Sequence, residues 1–169
     1  MSAVIGAQIG DNMHIIDEIC IPNSNTDEMA QEITNRYPDC RIQVFPDPAG
    51  AARKTSAGGR TDHSILQQWG FQVLAKRRHT AVKDRINAVN RMLLDASGQQ
   101  RLWIDPKCRE LIKCISKHQY KEGTMIPEKN GNPDYSHMND ALGYMIDYLY
   151  PVRRPEPDYT NEPQIYGHF

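Results

Sequence analysis

The chain alternates short apolar runs, rich in β-favouring residues, with segments of helical periodicity. Residues 2–9 and 14–21 predict two strands, and Gly10-Asp11-Asn12 between them predicts the turn of a hairpin. Three further strands are predicted at residues 41–45, 71–75 and 101–104.

Apolar residues at helical spacing predict five helices between these strands. The clearest one begins at Thr80, because Val82, Ile86, Val89 and Leu93 fall on one stripe. In the last one, Ser136 is the predicted N-cap, and Pro151 ends the helix. The other three are predicted at residues 27–37, 62–69 and 107–117.

This alternation of strands and helices predicts an α/β domain with a mixed central sheet flanked by helices. The two strands of the opening hairpin are joined by a tight turn and must run antiparallel, so the sheet cannot be purely parallel. We place the domain at residues 1–151. Residues 152–169 hold three further prolines and little periodicity, which predicts a poorly ordered, proline-rich tail.

Composition excludes several classes of protein. No apolar run approaches the roughly 20 residues of a membrane span, and the first residues lack the signature of a signal peptide. We therefore expect an intracellular, soluble protein without a membrane partner. The four cysteines show no C-x-x-C spacing, and a P-loop motif is absent from the chain.

Charge is strongly segregated along the chain, although the net charge is only −1. Between residues 53 and 91, nine lysines and arginines stand against Asp62 and Asp84, a local charge of +7 that leaves −8 for the remainder. A solvated surface could have this composition. Because the basic segment directly follows a candidate acidic site, we favour a nucleic-acid-binding face.

Two aspartates are the candidate chemical groups. Asp47 follows the predicted strand at residues 41–45, at a strand end where α/β sheets bind ligands. Asp140 is predicted in the first turn of the last helix, where an ionised carboxylate is favoured. Alone, each has an ordinary explanation, as a turn starter and as a first-turn acid. Together they could share Mg²⁺ or Mn²⁺, and two such ions about 4 Å apart support phosphodiester cleavage.

Four stretches carry a resemblance to a known family. They occur in the same order as in the family and span roughly residues 1–151. The stretches are Asp47-Pro48-Ala49-Gly50, Gly59-Arg60-Thr61-Asp62, the run Val-Lys-Asp-Arg-Ile-Asn-Ala-Val-Asn at 82–90, and Ser136-His137 with Asp140-Ala141-Leu142-Gly143-Tyr144. Together they resemble the C-terminal nuclease domain of the terminase large subunit of tailed bacteriophages and prophages.

The resemblance implies a ribonuclease H-like fold and metal-dependent cleavage of concatemeric double-stranded viral DNA during packaging. It implies that Asp47 and Asp140 are catalytic residues and ligands of a two-metal Mg²⁺ or Mn²⁺ site. It also implies the terminase small subunit and the portal as partners, and the cytoplasm of the bacterial host as the location.

The chain departs from the family pattern in two respects. It lacks the family's ATPase motor, and the family's first strand, with a third catalytic acid, is expected upstream of Met1. We therefore expect little nuclease activity from these 169 residues alone. The alternative is a non-catalytic, DNA- or portal-binding remnant of the same fold. A resolvase or transposase fragment would be favoured if Asp62 completed an acidic triad.

Two further groups of residues are predicted around the acids. His137 and Asp62 are auxiliary candidates, although a surface histidine and a helix cap explain them as well. The candidate contacts to DNA phosphates share a positive charge and follow Asp47 in the chain. They are Arg53, Lys54, Arg60, Arg77, Arg78 and Lys83.

Overall fold

Two small sheets and five α-helices make up the part of the chain that the structure describes. The computed structural model describes residues 1–52, 60–124, 127–128 and 135–152. The predicted tail lies outside this part, apart from Val152, which packs against the hydrophobic core. Within the described ranges, none of the helices has the length and apolar character that a membrane crossing requires.

The first sheet contains the predicted hairpin. Strands β1 (Ser2–Ile9) and β2 (Asn12–Cys20) pair antiparallel around Gly10, whose φ of +59° suits glycine. Strand β5 (Leu102–Ile104) pairs parallel to β2 on its other side. The order β1-β2-β5 thus makes this sheet mixed, which confirms the prediction.

The second sheet has two short parallel strands, β3 (Gln43–Val44) and β4 (Gln72–Val73). One central sheet was predicted, whereas the described strands form two. Strand β3 is short because Pro46, which cannot donate to a ladder, follows it closely. Its other edge and the outer edge of β1 border the same groove.

Helices cover the sheets at the predicted places. Their bounds are α1 (Thr26–Arg36), α2 (Asp62–Gln68), α3 (Val82–Leu93), α4 (Arg109–Lys117) and α5 (Ser136–Leu149). The prediction for the start of α5 was wrong in one detail. Ser136 is the first helical residue, and the N-cap is Tyr135, which makes no side-chain cap bond. Asp140 therefore lies in the second turn, beyond the free N–H groups of the helix end.

Two hydrophobic clusters form the core. The larger lies between the first sheet and helices α3, α4 and α5, and contains the fully buried Leu142 and Ile146 of α5. The smaller lies beneath α1 and contains Met29 and Ile33. Because α5 packs on α3, α4 and β1, its position, and with it that of Asp140, is fixed by three elements.

Helix α4 obtains its N-terminal cap from a distant strand. Its own cap residue, Cys108, makes no side-chain cap bond. The carboxylate of Glu18 in β2 instead accepts hydrogen bonds from the backbone N–H groups of Glu110, at 3.0 Å, and Leu111, at 2.7 Å. A carboxylate at this helix end also interacts favourably with the helix dipole.

Glu18→Ala is expected to lower the free energy of unfolding by about 1–2 kcal/mol, the usual cost of losing a helix cap. Urea denaturation measures this loss. Glu18→Gln keeps an acceptor oxygen but loses the charge, so its free energy of unfolding should lie between those of wild type and Glu18→Ala. The exposed Glu122→Ala serves as the control and should change little. Equal stability of Glu18→Ala and wild type would contradict the capping role.

Candidate functional site

A groove of about 960 Å³ separates β1 from β3 and brings the predicted site residues together. Helices α1 and α5 also contribute to its lining. Its polar lining includes residues from distant parts of the chain, among them Asp47, Asp62, His137, Asp140 and Tyr144. The two candidate acids therefore border one groove, although 93 positions separate them in the sequence.

Asp47 is held by the turn that ends β3. It is the N-cap of a short 3₁₀ helix, Pro48–Ala51, and its Oδ1 accepts a hydrogen bond from the backbone N–H of Ala49 at 2.9 Å. His63 Nε2 donates to the Asp47 carbonyl oxygen at 2.9 Å, and His79 Nδ1 lies 3.6 Å from Oδ1. The Asp47 side chain remains 48% exposed and can reach a ligand.

Asp140 is held by Arg85, which was not predicted as a site residue. Arg85 of α3 donates from Nη2 to Asp140 Oδ1 at 2.6 Å. The Arg85 side chain is 5% exposed, whereas that of Asp140 is 29% exposed. Arg85 follows Val82 by three positions and precedes Val89 by four. This spacing places it beside the apolar stripe of α3 and could have indicated from the sequence that it is buried.

Tyr144 connects the two acids and was not singled out from the sequence. Its hydroxyl lies close enough to Asp47 for that carboxylate to raise the pKa of Tyr144, and its ring lies 4.4 Å from the guanidinium carbon of Arg85. Tyr144 also follows Asp140 by four positions, on the same face of α5. The structure therefore joins Asp47, Tyr144, Arg85 and Asp140 in one chain of contacts.

The pKa of Tyr144 is raised to about 12, chiefly because the side chain is buried. The Arg85 guanidinium lowers this pKa, whereas the interactions with the Asp47 and Asp140 carboxylates raise it further. The Tyr144 hydroxyl is thus protonated at neutral pH.

The chemistry of the donors suits a hard cation. Carboxylate oxygens are the ligands that Mg²⁺ and Mn²⁺ prefer, and Mg²⁺ is commonly held by one or two carboxylates together with waters and substrate phosphates. In the described ranges, no group of three or more His, Cys, Asp or Glu residues is arranged to hold a metal ion. Asp47 and Asp140 are the groove carboxylates that were predicted as metal ligands, and this role stays a prediction.

The auxiliary candidates line the groove but have different surroundings. Asp62 is the first residue of α2, and its Oδ1 accepts a hydrogen bond from Thr26 Oγ1 at 2.9 Å. This bond ties α2 to the start of α1. His137 is the second residue of α5 and is exposed at the groove.

The candidate DNA contacts differ in their availability. Arg77, Arg78 and Lys83 are exposed, in and after the loop between β4 and α3. Arg60 is exposed but forms an ion pair with Asp27 at 3.7 Å. Arg53 and Lys54 lie outside the described residues.

Comparison with known proteins gives one informative likeness. No family model and no curated protein matches the chain. Among solved structures, the large terminase of a thermophilic bacteriophage, in complex with ATP-gamma-S, matches 88% of the chain with a TM-score of 0.65. The chain has a terminase-like fold.

The likeness to the large terminase concerns the fold, because the sequences are only 16% identical. The chain spans about a third of the phage protein's length, since the match covers 36% of that chain. The mixed sheet flanked by helices agrees with this fold. The chemistry of the groove is therefore inferred from the contacts of this chain's own residues and not from the likeness.

Proposed function

We propose that this chain is the nuclease module of a large terminase that packages phage DNA. In this proposal it cleaves concatemeric double-stranded DNA with Mg²⁺ or Mn²⁺ held by Asp47 and Asp140. The observation that carries the proposal is that both acids line one groove of a terminase-like fold and are linked through Tyr144 and Arg85.

In the proposed mechanism each acid is oriented by a different neighbouring residue. Asp47 and Asp140 would hold the cation, which would polarise the phosphodiester and make water a better nucleophile. Arg85 restricts the orientation of the Asp140 carboxylate through the bond at 2.6 Å. Tyr144 lies beside Asp47, where its protonated hydroxyl could donate to that carboxylate and limit its rotation. Such fixed carboxylates need little reorganisation during the reaction.

We further propose that the exposed Arg77, Arg78 and Lys83 contact DNA phosphates. Such contacts position a duplex without reading its sequence, and they make binding weaker as the salt concentration rises. The ion pair of Arg60 with Asp27 makes that residue the weaker candidate among the described ones. The small subunit, the portal and the host cytoplasm belong to the proposal through the family resemblance.

The second candidate function is a non-catalytic, DNA- or portal-binding module. It is favoured by one observation, that the described residues include no group of three or more side chains arranged to hold a metal ion. The two candidates differ in whether a divalent cation binds at Asp47 and Asp140, and this can be measured without any cleavage.

The test is paramagnetic broadening of backbone NMR signals by Mn²⁺, with plasmid nicking as a second readout. We expect broadening centred on Asp47, Asp140 and Tyr144, and slow nicking that EDTA abolishes. Asp47→Asn removes a charged ligand, so both effects should be lost. Asp39→Asn, a change of the same kind at an exposed position, is the matched control.

Broadening centred elsewhere, or unchanged in Asp47→Asn, would contradict the metal site and leave the binding module as the better candidate. Equal nicking by wild type and Asp47→Asn would point to a contaminating nuclease. Normal binding of Mn²⁺ by Asp39→Asn is required for either conclusion.

A further inference from the structure

Helix α5 carries a buried acid that the proposed mechanism does not use. Asp147 is 4% exposed and follows Met145 and Ile146 of the larger hydrophobic cluster. It lies seven positions after Asp140 and three after Tyr144, a spacing that places the three side chains on one face of the helix. The face of α5 that contributes Asp140 and Tyr144 to the candidate site therefore continues into a second carboxylate.

Asp147 is paired with a lysine in the connection between β4 and α3. Lys76 Nζ donates to Asp147 Oδ2 at 2.7 Å and to Thr80 Oγ1 at 3.2 Å. We call residues 76–80 the basic loop, because Arg77 and Arg78 are exposed within it. One ammonium group thus joins the two ends of the basic loop and fastens them to α5.

The basic loop lies against the turn that presents Asp47. His79 Nδ1 is 3.6 Å from Asp47 Oδ1. Arg78 lines a small pocket together with Pro46 and Pro48, the two residues that flank Asp47. The ion pair lines the same pocket, so the point at which the loop is fastened and the Asp47 turn are neighbours.

The ion pair restricts the geometry of the loop more than it adds stability. Removing a carboxylate and an ammonium from water costs free energy that offsets much of their attraction, so apolar residues of similar volume often stabilise a fold equally well. Apolar contacts are non-directional, however, whereas this ammonium meets both a carboxylate and a hydroxyl oxygen. The pair therefore specifies where the basic loop lies on α5.

We propose that Asp147 is a positioning residue for the binding of DNA. Through Lys76 it fixes the basic loop on α5, so that Arg77 and Arg78 are held beside Asp47 before a duplex arrives. Groups that are already ordered lose less conformational entropy on binding, and the complex is correspondingly tighter. This inference rests on the proposed contacts of Arg77 and Arg78 with DNA phosphates, and it does not depend on a bound cation.

The first test measures the order of the basic loop by ¹⁵N relaxation of the full 169-residue chain. In wild type we expect backbone order parameters of about 0.85 at Arg77 and Arg78, and in Asp147→Asn values below about 0.6, because a neutral amide accepts a weaker hydrogen bond from an ammonium. The variant should remain folded, since the Lys76 side chain is 31% exposed and its ammonium can turn to water. Asp39→Asn, the same substitution at an exposed position, should leave both values unchanged.

The second test measures binding of a short DNA duplex of mixed sequence in EDTA, so that neither a cation nor cleavage is involved. Asp147→Asn should bind about tenfold more weakly, which corresponds to ordering roughly one residue on binding. General electrostatics predicts the opposite, because the variant has one negative charge less and DNA is a polyanion. The salt dependence should be unchanged, since both arginines still reach phosphates in the complex.

Arg77→Ala/Arg78→Ala shows the contrasting behaviour of a contact variant. Each lost phosphate contact should reduce the slope of log affinity against log salt concentration by about 0.9. A parallel shift of the salt dependence therefore identifies a positioning residue, whereas a change of slope identifies a contact residue.

Lys76→Met/Asp147→Leu removes the ion pair without changing the net charge. Its stability in urea denaturation should stay close to that of wild type. Loop order and DNA affinity should nevertheless fall as they do in Asp147→Asn. This variant also replaces Asp147→Asn if the single variant does not fold.

Some results would overturn the inference and leave the proposed DNA contacts intact. An equally ordered basic loop in the folded variants, or a disordered loop with unchanged DNA affinity, would show that Asp147 does not position DNA. Tighter binding by Asp147→Asn would show that Asp147 acts on DNA through its charge and not through the loop. Failure of wild type to bind duplex DNA would contradict the proposed phosphate contacts themselves, and with them the inference.

Discussion

Replacing Asp140 with asparagine is expected to abolish the slow Mn²⁺-supported nicking, because removing one preorganised electrostatic group usually costs about 10²- to 10³-fold in rate. The same change should remove the broadening of Tyr144 by Mn²⁺. The physical reason is that a neutral amide is a much poorer ligand for a hard cation than a carboxylate. Nicking and broadening should both be measured at a temperature at which the variant is folded.

Asp140→Asn should also destabilise the chain, because it leaves the charge of the buried Arg85 without its partner. Breaking a buried ion pair costs about 3–5 kcal/mol. Asp140 is 29% exposed, so we expect the lower end of that range or slightly less. Urea denaturation, compared with Asp39→Asn, gives the value.

A double variant separates the two roles of Asp140. In Asp140→Asn/Arg85→Met the buried charge is removed together with its partner, and such replacements recover much of the lost stability. Nicking and Mn²⁺ binding should nevertheless stay lost. If the double variant regained cation binding along with stability, Asp140 would act only as the partner of Arg85, and the metal role would be wrong.

Leu142→Ala is expected to lower the free energy of unfolding by about 2–5 kcal/mol. Leu142 is fully buried in the larger cluster, on the helix that α3, α4 and β1 surround. Truncating the side chain there loses apolar burial and leaves a cavity that the packed neighbours cannot easily fill. The midpoint of urea denaturation should fall while the slope remains unchanged.

Leu94→Ala is the matched control for this prediction, because it is the same substitution at a side chain that is 58% exposed. It should change the stability by less than about 0.5 kcal/mol. Similar losses for the two variants would mean that Leu142 is not part of the cooperative core. The position of α5, and hence of Asp140, would then need another explanation.

Local sequence signals were sufficient for most elements. The hairpin followed from two β-favouring runs around Gly10, and α3 followed from a stripe of apolar residues at helical spacing. The boundary of α5 was misjudged because Ser136 is a favourable cap by type, although in the structure it is buried as the first helical residue. Tertiary packing overrode the local preference there, and Asp140 lies one position further into the helix than predicted, in its second turn.

The candidate acids could be named from the sequence, but their partners could not. Asp47 was recognisable because it lies between a strand-ending proline and a turn. Arg85 was assigned to a basic surface, because residue type alone does not show that a cation is buried. The bond between Arg85 and Asp140 spans 55 positions, and those from Glu18 to the start of α4 span 92 and 93.

The sequence by itself determined the periodicity of each element, the turn that presents Asp47 and the separation of charge along the chain. These properties depend on neighbouring residues, whose spacing fixes which side chains share a face. Only the tertiary structure decided that two sheets face one groove, that Tyr144 joins the acids and that Arg85 is buried beside Asp140. Those arrangements depend on contacts between distant segments, and local spacing carries no information about which segments meet.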